Sequence, residues 1–286
     1  MELIAVGVAL LAALAFAGSF VSQQHVAAQV PAERGKGLRL FLELAKSPIW
    51  WAGALGDVLG FVFQAVALGF GSVVLVQPVL VTSLVFALPL AARWNGRRIP
   101  KADAVWSVAV VAALAVFTVV GDTSRGSVTA AVEPWLWPAA VFGTALAALL
   151  VGGLATRGTA KALCFGALAG VAYGIIAPLT ELTVVHLEKV GFAGLLSSWP
   201  LYVLVVLIVA GTAWQQSAFH AGSLGASLPA TQVLEPLVAV VLGIWALHAS
   251  LHTRGLGWAA LAAAALVMAV GTVQLARSAA RDAAPL

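Results

Sequence analysis

Of the chain's 286 residues, 62% are hydrophobic and only 9% charged, with a mean hydropathy of +1.03 and a formal net charge of +4. Roughly a quarter of the residues in a soluble domain are charged, so this balance excludes an ordinary water-soluble protein and specifies an integral membrane one. Disulfide stapling is excluded too, since Cys164 is the single cysteine.

The apolar residues come in long runs parted by short polar stretches. A helix needs about 20 such residues to cross roughly 30 Å of hydrocarbon, and in lipid every backbone N–H and C=O must be satisfied within the segment or a closed barrel. Barrel strands show segments of about 10 residues with alternating polarity; the runs here are longer and apolar on all sides. The chain therefore predicts an all-α integral membrane fold with nine transmembrane helices, at 3–21, 49–69, 72–92, 103–120, 135–154, 162–184, 200–219, 223–246 and 256–275. In the first, Ala15-Phe16-Ala17 has the small-x-small form of a signal cleavage site. Met1-Glu2 carries no positive charge, however, and the apolar run exceeds a usual signal core, so the segment is read as a retained span. The longest loop, 22–48, is too short to fold alone, which argues against a soluble catalytic domain.

Orientation follows from the basic residues. With the N-terminus outside, the inner loops collect Arg34, Lys36, Arg39, Lys46, Arg93 and Arg97, then Arg98, Lys101, Arg157, Lys161, Arg277 and Arg281. Only Arg125, Lys189 and Arg254 fall outside. This positive-inside bias predicts a multi-pass protein of the cytoplasmic membrane with an outer N-terminus and a cytoplasmic C-terminus. The anionic inner leaflet accounts for the basic balance, so the lipid bilayer is an expected partner and nucleic acid is not.

The sequence also repeats itself. A shift of 151 residues lays Gln64, Ala67, Gly71, Ser72 and Pro78 on Gln215, Ala218, Gly222, Ser223 and Pro229, with Ser47 on Ser198 upstream. Spans two and three thus fall on spans seven and eight; span one needs a shift of about 156 to fall on span six. Helices five apart cross in opposite directions, so the expectation is an inverted repeat. Residues 1–120 and 162–286 form its four-helix halves, and 121–161 carries a connecting helix. Inverted repeats characterise many secondary transporters, whose sites lie where the halves meet.

Two acids lie at mid-span depth: Asp57 in the second span and Glu235 in the eighth. A carboxylate at the bilayer centre costs about 2.5 to 3.5 kcal/mol on insertion scales, so it faces the bundle interior or a watery cavity. Asp57 shares a helical face with Gln64, and Gly53, Gly56 and Gly60 lie close to that face. Small residues at a spacing of four admit a neighbouring helix, which turns Asp57 toward protein. Glu235 shares its face with Gln232 and Thr231. Pro229 and Pro236 each remove a helical hydrogen bond and favour a kink, freeing carbonyls near Gly225 and Gln232. Pro78 is the first-half counterpart of Pro229. Each acid has a structural alternative, as a hydrogen-bonding group within a packing helix.

Other polar residues are candidates for a gate or vestibule. Glu181 falls near the outer end of span six, and Trp214, Gln215 and Gln216 near the inner end of span seven. Gln23 and Gln24 end span one, where headgroup contact is the alternative to an inner vestibule. Gly166, Gly170 and Gly174 form a small-residue stripe on span six beside Tyr173, read as helix packing. The histidines sit in or beside loops, which argues against a His-based metal site; the identity of any bound metal is left open.

The stretch 47–91, with Gly56-Asp57 followed by Val76-Gln77-Pro78, resembles the first-half signature of the drug/metabolite transporter superfamily, in particular its NIPA-like magnesium transporter branch. The stretch LPATQVLEPLVAVVLGIW, 228–245, is similar instead to the Glu-Pro helix of EamA-type metabolite exporters. The nine-helix count fits the former and the Glu-Pro pair the latter. The resemblance implies an EmrE/EamA-like fold and a secondary transporter that moves a small solute by alternating access, coupled to protons or ions.

On this reading Glu235, Gln232, Thr231, Asp57 and Gln64 bind a small-molecule or cation substrate. Transport of Mg²⁺ or another divalent cation is the alternative; two acids do not close an oxygen cage, and magnesium in such a site would keep several waters. No Gly-x4-Gly-Lys-Ser/Thr loop is present, and no cofactor is expected. A homodimer is compatible with the sequence. A non-transporting scaffold and an intramembrane enzyme are the remaining classes. Against an enzyme, Ala54 replaces the first Gly of a Gly-x-Gly-Asp motif, Asp57 has no second mid-membrane Asp, and Ser227 has no mid-membrane His base.

Overall fold

The computed structural model describes residues 2–27, 29–30, 38–94, 96, 99–120, 122–124, 131–221 and 224–282. Arg34, Lys36, Arg97, Arg98 and Arg125 of the charge pattern, and Gly222 and Ser223 of the repeat, lie outside the described residues, as does the side chain of Pro229.

Helices dominate, as expected. The first half contains α1 (Glu2–Ala27), a short α2 (Leu38–Leu44), α3 (Pro48–Phe70), α4 (Val73–Leu80), α5 (Ser83–Trp94) and α6 (Lys101–Val120). Strand β1 (Asp122–Ser124) follows, and then α7 (Glu133–Ala155). The second half contains α8 (Gly158–Leu196), α9 (Trp199–His220), α10 (Leu224–Trp245), strand β2 (Ser250–His252) and α11 (Gly257–Asp282). Among the described residues, seven segments are long and apolar enough to cross a membrane: α1, α3, α4 and α5 taken together, α7, α8, α9 to Ala218 and α11 to Leu275. The expected spans 103–120 and 223–246 fall on α6 and α10.

Helix starts follow capping rules. Ser47 accepts a hydrogen bond from the Trp50 backbone N–H at 3.4 Å, and Pro48 occupies the first turn, where its missing N–H costs nothing. Ser198 holds the corresponding position before α9, with Pro200 in the first turn.

Two helices depart from the expected spans. The third breaks after Leu80, so that α4 and α5 replace one rod. Near the break the bonding tightens to i→i+3, from the Thr82 N–H to the Val79 carbonyl and from the Leu84 N–H to the Val81 carbonyl. Pro78, which cannot donate to the Val74 carbonyl, weakens the preceding turn. By contrast α10 stays helical through both of its prolines. The sixth span runs on to Leu196 rather than ending at 184, passing a non-helical Gly191 with φ of 70°. Its first 33 residues, to Val190, would extend about 50 Å at 1.5 Å per residue, well beyond the hydrocarbon.

Packing is organised by small residues. On α3, Gly53, Gly56 and Gly60 face α1; a Cβ on Gly60 would sit 2.6 Å from the Phe16 ring. On α8, Gly166, Gly170 and Gly174 face α10, and a Cβ on Gly170 would sit 2.9 Å from the Thr231 Cα. These close approaches explain why α1 and α3, and α8 and α10, are the most extensively paired helices. The 26-residue α1 buries Ala5, Ala9, Ala12, Ala13 and Ala17 in the bundle. Strands β1 and β2 pair antiparallel, Thr123 opposite Leu251, an element the sequence did not announce. They tie the end of α6 to the end of α10.

Candidate functional site

The packed helices leave a cavity of about 430 Å³ between the two halves of the chain. Its polar wall brings together Asp57 and Gln64 from α3, Gln232 and Glu235 from α10, and Gln215 from α9. Five of the residues singled out from sequence thus border one space. Pro236 borders it too, beside the Gln232 carbonyl that Pro236 cannot engage. The apolar wall includes Phe16, Phe20, Phe61, Leu84, Ile176 and Ile208. No Lys, Arg or His is among the described lining residues.

Part of the wall coincides under the sequence shifts. A shift of 151 pairs Asp57 with Ile208, Phe61 with Thr212, Gln64 with Gln215, Val81 with Gln232, and Leu84 with Glu235; all ten residues line the cavity. A shift of 156 pairs Ala17 with Tyr173 and Phe20 with Ile176, which line it as well. The acids break this correspondence, since each stands where the other half carries an aliphatic residue.

Asp57 is exposed at the cavity wall and held by α1. The Ser19 hydroxyl donates to its Oδ1 at 2.5 Å, and the Gln23 amide donates to its Oδ2. The same amide nitrogen donates to Ser19 Oγ at 2.8 Å. Gln23 Oε1 accepts from Gln216 Nε2 at 3.0 Å, across 193 residues. The Gln23 amide thus has both N–H groups and its carbonyl engaged, and it links the first-half acid to α9. Glu235 is half-buried and, among the described residues, its carboxylate has no hydrogen-bond or ion-pair partner. Tyr173, also on the wall, donates its hydroxyl to Gln215 Oε1 at 2.8 Å.

Several sequence expectations are corrected. Thr231 does not border the cavity: it is 3% exposed and donates to the Gly166 carbonyl at 2.8 Å. The approach of α8 to α10 takes it into the helix interface. Glu181 does not reach the cavity either and is not solvated; it is 1% exposed, and its carboxylate accepts the Val73 backbone N–H at 2.8 Å. That places an acid of α8 at the N-terminus of α4, where unsatisfied N–H groups and the helix dipole favour negative charge. Trp214 packs with Leu168 and Ala218, away from the cavity. Gln216 sits behind the wall, bonded to Gln23.

Sequence reasoning gave too little weight to Ser19, Gln23, Tyr173, Thr212 and Gln77, all on the wall. One local signal was available: Ser19 and Gln23 are four apart, hence on one face of α1. Gln77 is 1% exposed, and its amide nitrogen has no partner among the described residues. Nor do those residues hold any group of three or more His, Cys, Asp and Glu that could bind a metal.

The helices and the cavity together define a multi-pass all-α membrane protein. The chain belongs to the family of an uncharacterized protein of Corynebacterium glutamicum, Cgl0250/cg0304, to which it is 34% identical over 282 residues, 97% of this chain and 96% of the relative. No family model matches the chain, and no solved structure matches it.

Proposed function

We propose that this protein is a secondary transporter that carries a small, positively charged solute, or a solute coupled to a proton or cation, across the cytoplasmic membrane by alternating access. The observation that carries the reading is the cavity itself. It lies between the halves, is lined at repeat-related positions, and holds two carboxylates with no basic lining residue among those described. In a low-dielectric setting uncompensated carboxylates attract a cation strongly. An inverted repeat with its site at the interface of the halves is the transporter arrangement, and the resemblance to the drug/metabolite superfamily points the same way.

Two contacts between the halves suit such a cycle. At one end Glu181 of α8 holds the start of α4; at the other, Gln216 of α9 holds Gln23 of α1. With nine alternating crossings, an outer N-terminus and an inner C-terminus, the first pair lies outside and the second inside. On this reading they are the two gates, and opening one while closing the other moves the cavity between faces. The reading assigns the chain no catalytic step. Transport of a hydrated divalent cation is the second reading, favoured by two carboxylates sharing one cavity.

The test is flux in proteoliposomes of radiolabelled organic amines and of Mg²⁺, with and without a pH gradient, for wild type, Glu235→Gln and Asp57→Asn. Amine flux lost in both variants supports the first reading, and Mg²⁺ flux lost in both supports the second. Flux unchanged by either substitution overturns the site.

A further inference from the structure

The cavity accounts for its two acids as a cation-binding pole, but not for Gln77. This residue sits within VVLVQPVL, the eight residues of α4, all of which are buried. A leucine there would pack as well and bring no polar cost. Gln77 instead lines the cavity with a buried side chain whose amide nitrogen is unpartnered among the described residues. A buried donor left unmade costs about 1 to 3 kcal/mol, and such groups in native proteins call for an explanation. Glu181 anchors the first N–H of α4, and the short helix ends at Leu80, before the Val81–Thr82 break. Trp50, also on the wall, has a second unpartnered buried N–H.

We infer that Gln77 forms a neutral subsite of the cavity that reads a hydroxyl or carbonyl on the transported solute, whose ammonium group is held by Glu235 and Asp57. The solute class is then an amine carrying a hydrogen-bond acceptor on an apolar body, not a bare lipophilic cation. The phenylalanine rings of the wall receive the apolar body, the acids the charge, and the Gln77 amide donates to the acceptor. This inference rests on the cation-binding reading of the cavity, but it concerns binding and does not require flux.

Two effects of one substitution are expected to run in opposite directions. Gln77→Leu removes an unsatisfied polar group, so the ligand-free protein becomes more heat-stable. The same change removes the acceptor reader, so discrimination between ligands falls. A merely structural glutamine would lose stability when replaced and leave discrimination alone.

The experiment measures equilibrium binding of 2-phenylethylamine and its β-hydroxyl analogue, 2-amino-1-phenylethanol, to the full chain in lipid nanodiscs, together with thermal unfolding. The two probes share ring and ammonium group and differ only in the acceptor. Wild type is expected to bind the hydroxylated probe about 3- to 10-fold more tightly, the range of one hydrogen bond. In Gln77→Leu that ratio falls to about one while Tm rises. Gln77→Met, an unbranched side chain of similar length without an N–H, lowers the ratio likewise and guards against a folding defect in the first variant. The subsite is overturned if the ratio survives Gln77→Leu, if that variant folds with a lowered Tm, or if neither probe binds wild type. Binding with the expected ratio but no flux in proteoliposomes would sink the transporter reading and leave the subsite standing.

Discussion

The two carboxylates of the cavity are bound to the protein in opposite ways. Asp57 accepts hydrogen bonds from Ser19 and Gln23, and through Gln23 it connects to Gln216 in the other half. Glu235 has no such partner among the described residues, although α10 is pressed against α8 so closely that Gly170 has no room for a side chain. One acid is tied into the scaffold and the other is left for a ligand. A carboxylate whose lone pairs are already engaged has less to gain from an incoming cation, whereas a half-buried and unpaired one gains most. On the proposed function the pair divides the work: Glu235 supplies affinity, and Asp57 relays occupancy to the contact between halves.

Replacing Glu235 by Gln should weaken binding of an ammonium probe by about 10- to 100-fold, the range of a charge-assisted hydrogen bond, measured by calorimetry in nanodiscs. A value under twofold would remove Glu235 from the site. Attacking its support instead, Gly170→Val places a side chain against the Thr231 backbone. Overpacking of this kind costs about 1 to 3 kcal/mol, read as a lowered unfolding midpoint, while Gly7→Ala, at a position with nothing within 4 Å, should shift it little.

Asp57→Asn should weaken ammonium binding less than Glu235→Gln, by about 3- to 10-fold, because two protein donors already hold that carboxylate. An equal or larger loss would reverse the assignment of the two acids. The smallest effect concerns the relay. Gln216→Leu removes one buried hydrogen bond, about 1 kcal/mol, and should speed thiol labelling at a cysteine placed at Ala87, on the cavity wall. Asp57→Asn should speed it too, although Asp57 does not touch Gln216, and in a Gln23→Leu background it should add nothing. Additive effects would mean that Gln23 does not connect them.

Much of this comparison was legible in the sequence. Helices cover the expected apolar stretches, the third in two pieces, because a run of about 20 apolar residues has few other solutions in lipid; among the described residues seven segments are long and apolar enough to cross a membrane. Asp57, Gln64, Gln232 and Glu235 meet at one cavity because charge and amide are too costly to face hydrocarbon, so depth and helical face locate them. What could not be read depends on contacts far apart along the chain. Gln23 looked like a headgroup residue because its partners are 34 and 193 positions away. The burial of Glu181 could not be read because its partner, the Val73 N–H, lies 108 residues earlier. Thr231 has the same helical spacing to Glu235 as any cavity residue would, yet the glycine stripe of α8 draws it into the interface. Periodicity fixes a face only to within a turn, and the neighbouring helix decides which part of that face is covered.

The broken third span shows the same limit. Pro78 and Pro229 coincide under the repeat shift, yet the first lies in an eight-residue helix that ends two residues later, while α10 stays helical through the second. Proline removes a hydrogen bond in both; whether the helix then breaks depends on what holds it. Here α10 is pressed along its length against the glycine stripe of α8, and α4 is anchored at its start by Glu181.

The central claim, that one cavity between the halves is reached alternately from each side, is tested most directly by labelling Thr212→Cys in a Cys164→Ser background with a membrane-impermeant thiol reagent. Thr212 borders the cavity and belongs to α9. Labelling is compared in right-side-out and inverted vesicles, with and without 2-phenylethylamine. The account predicts labelling from both faces, with the amine slowing it on each. Labelling from one face alone, unaffected by the amine, would contradict it.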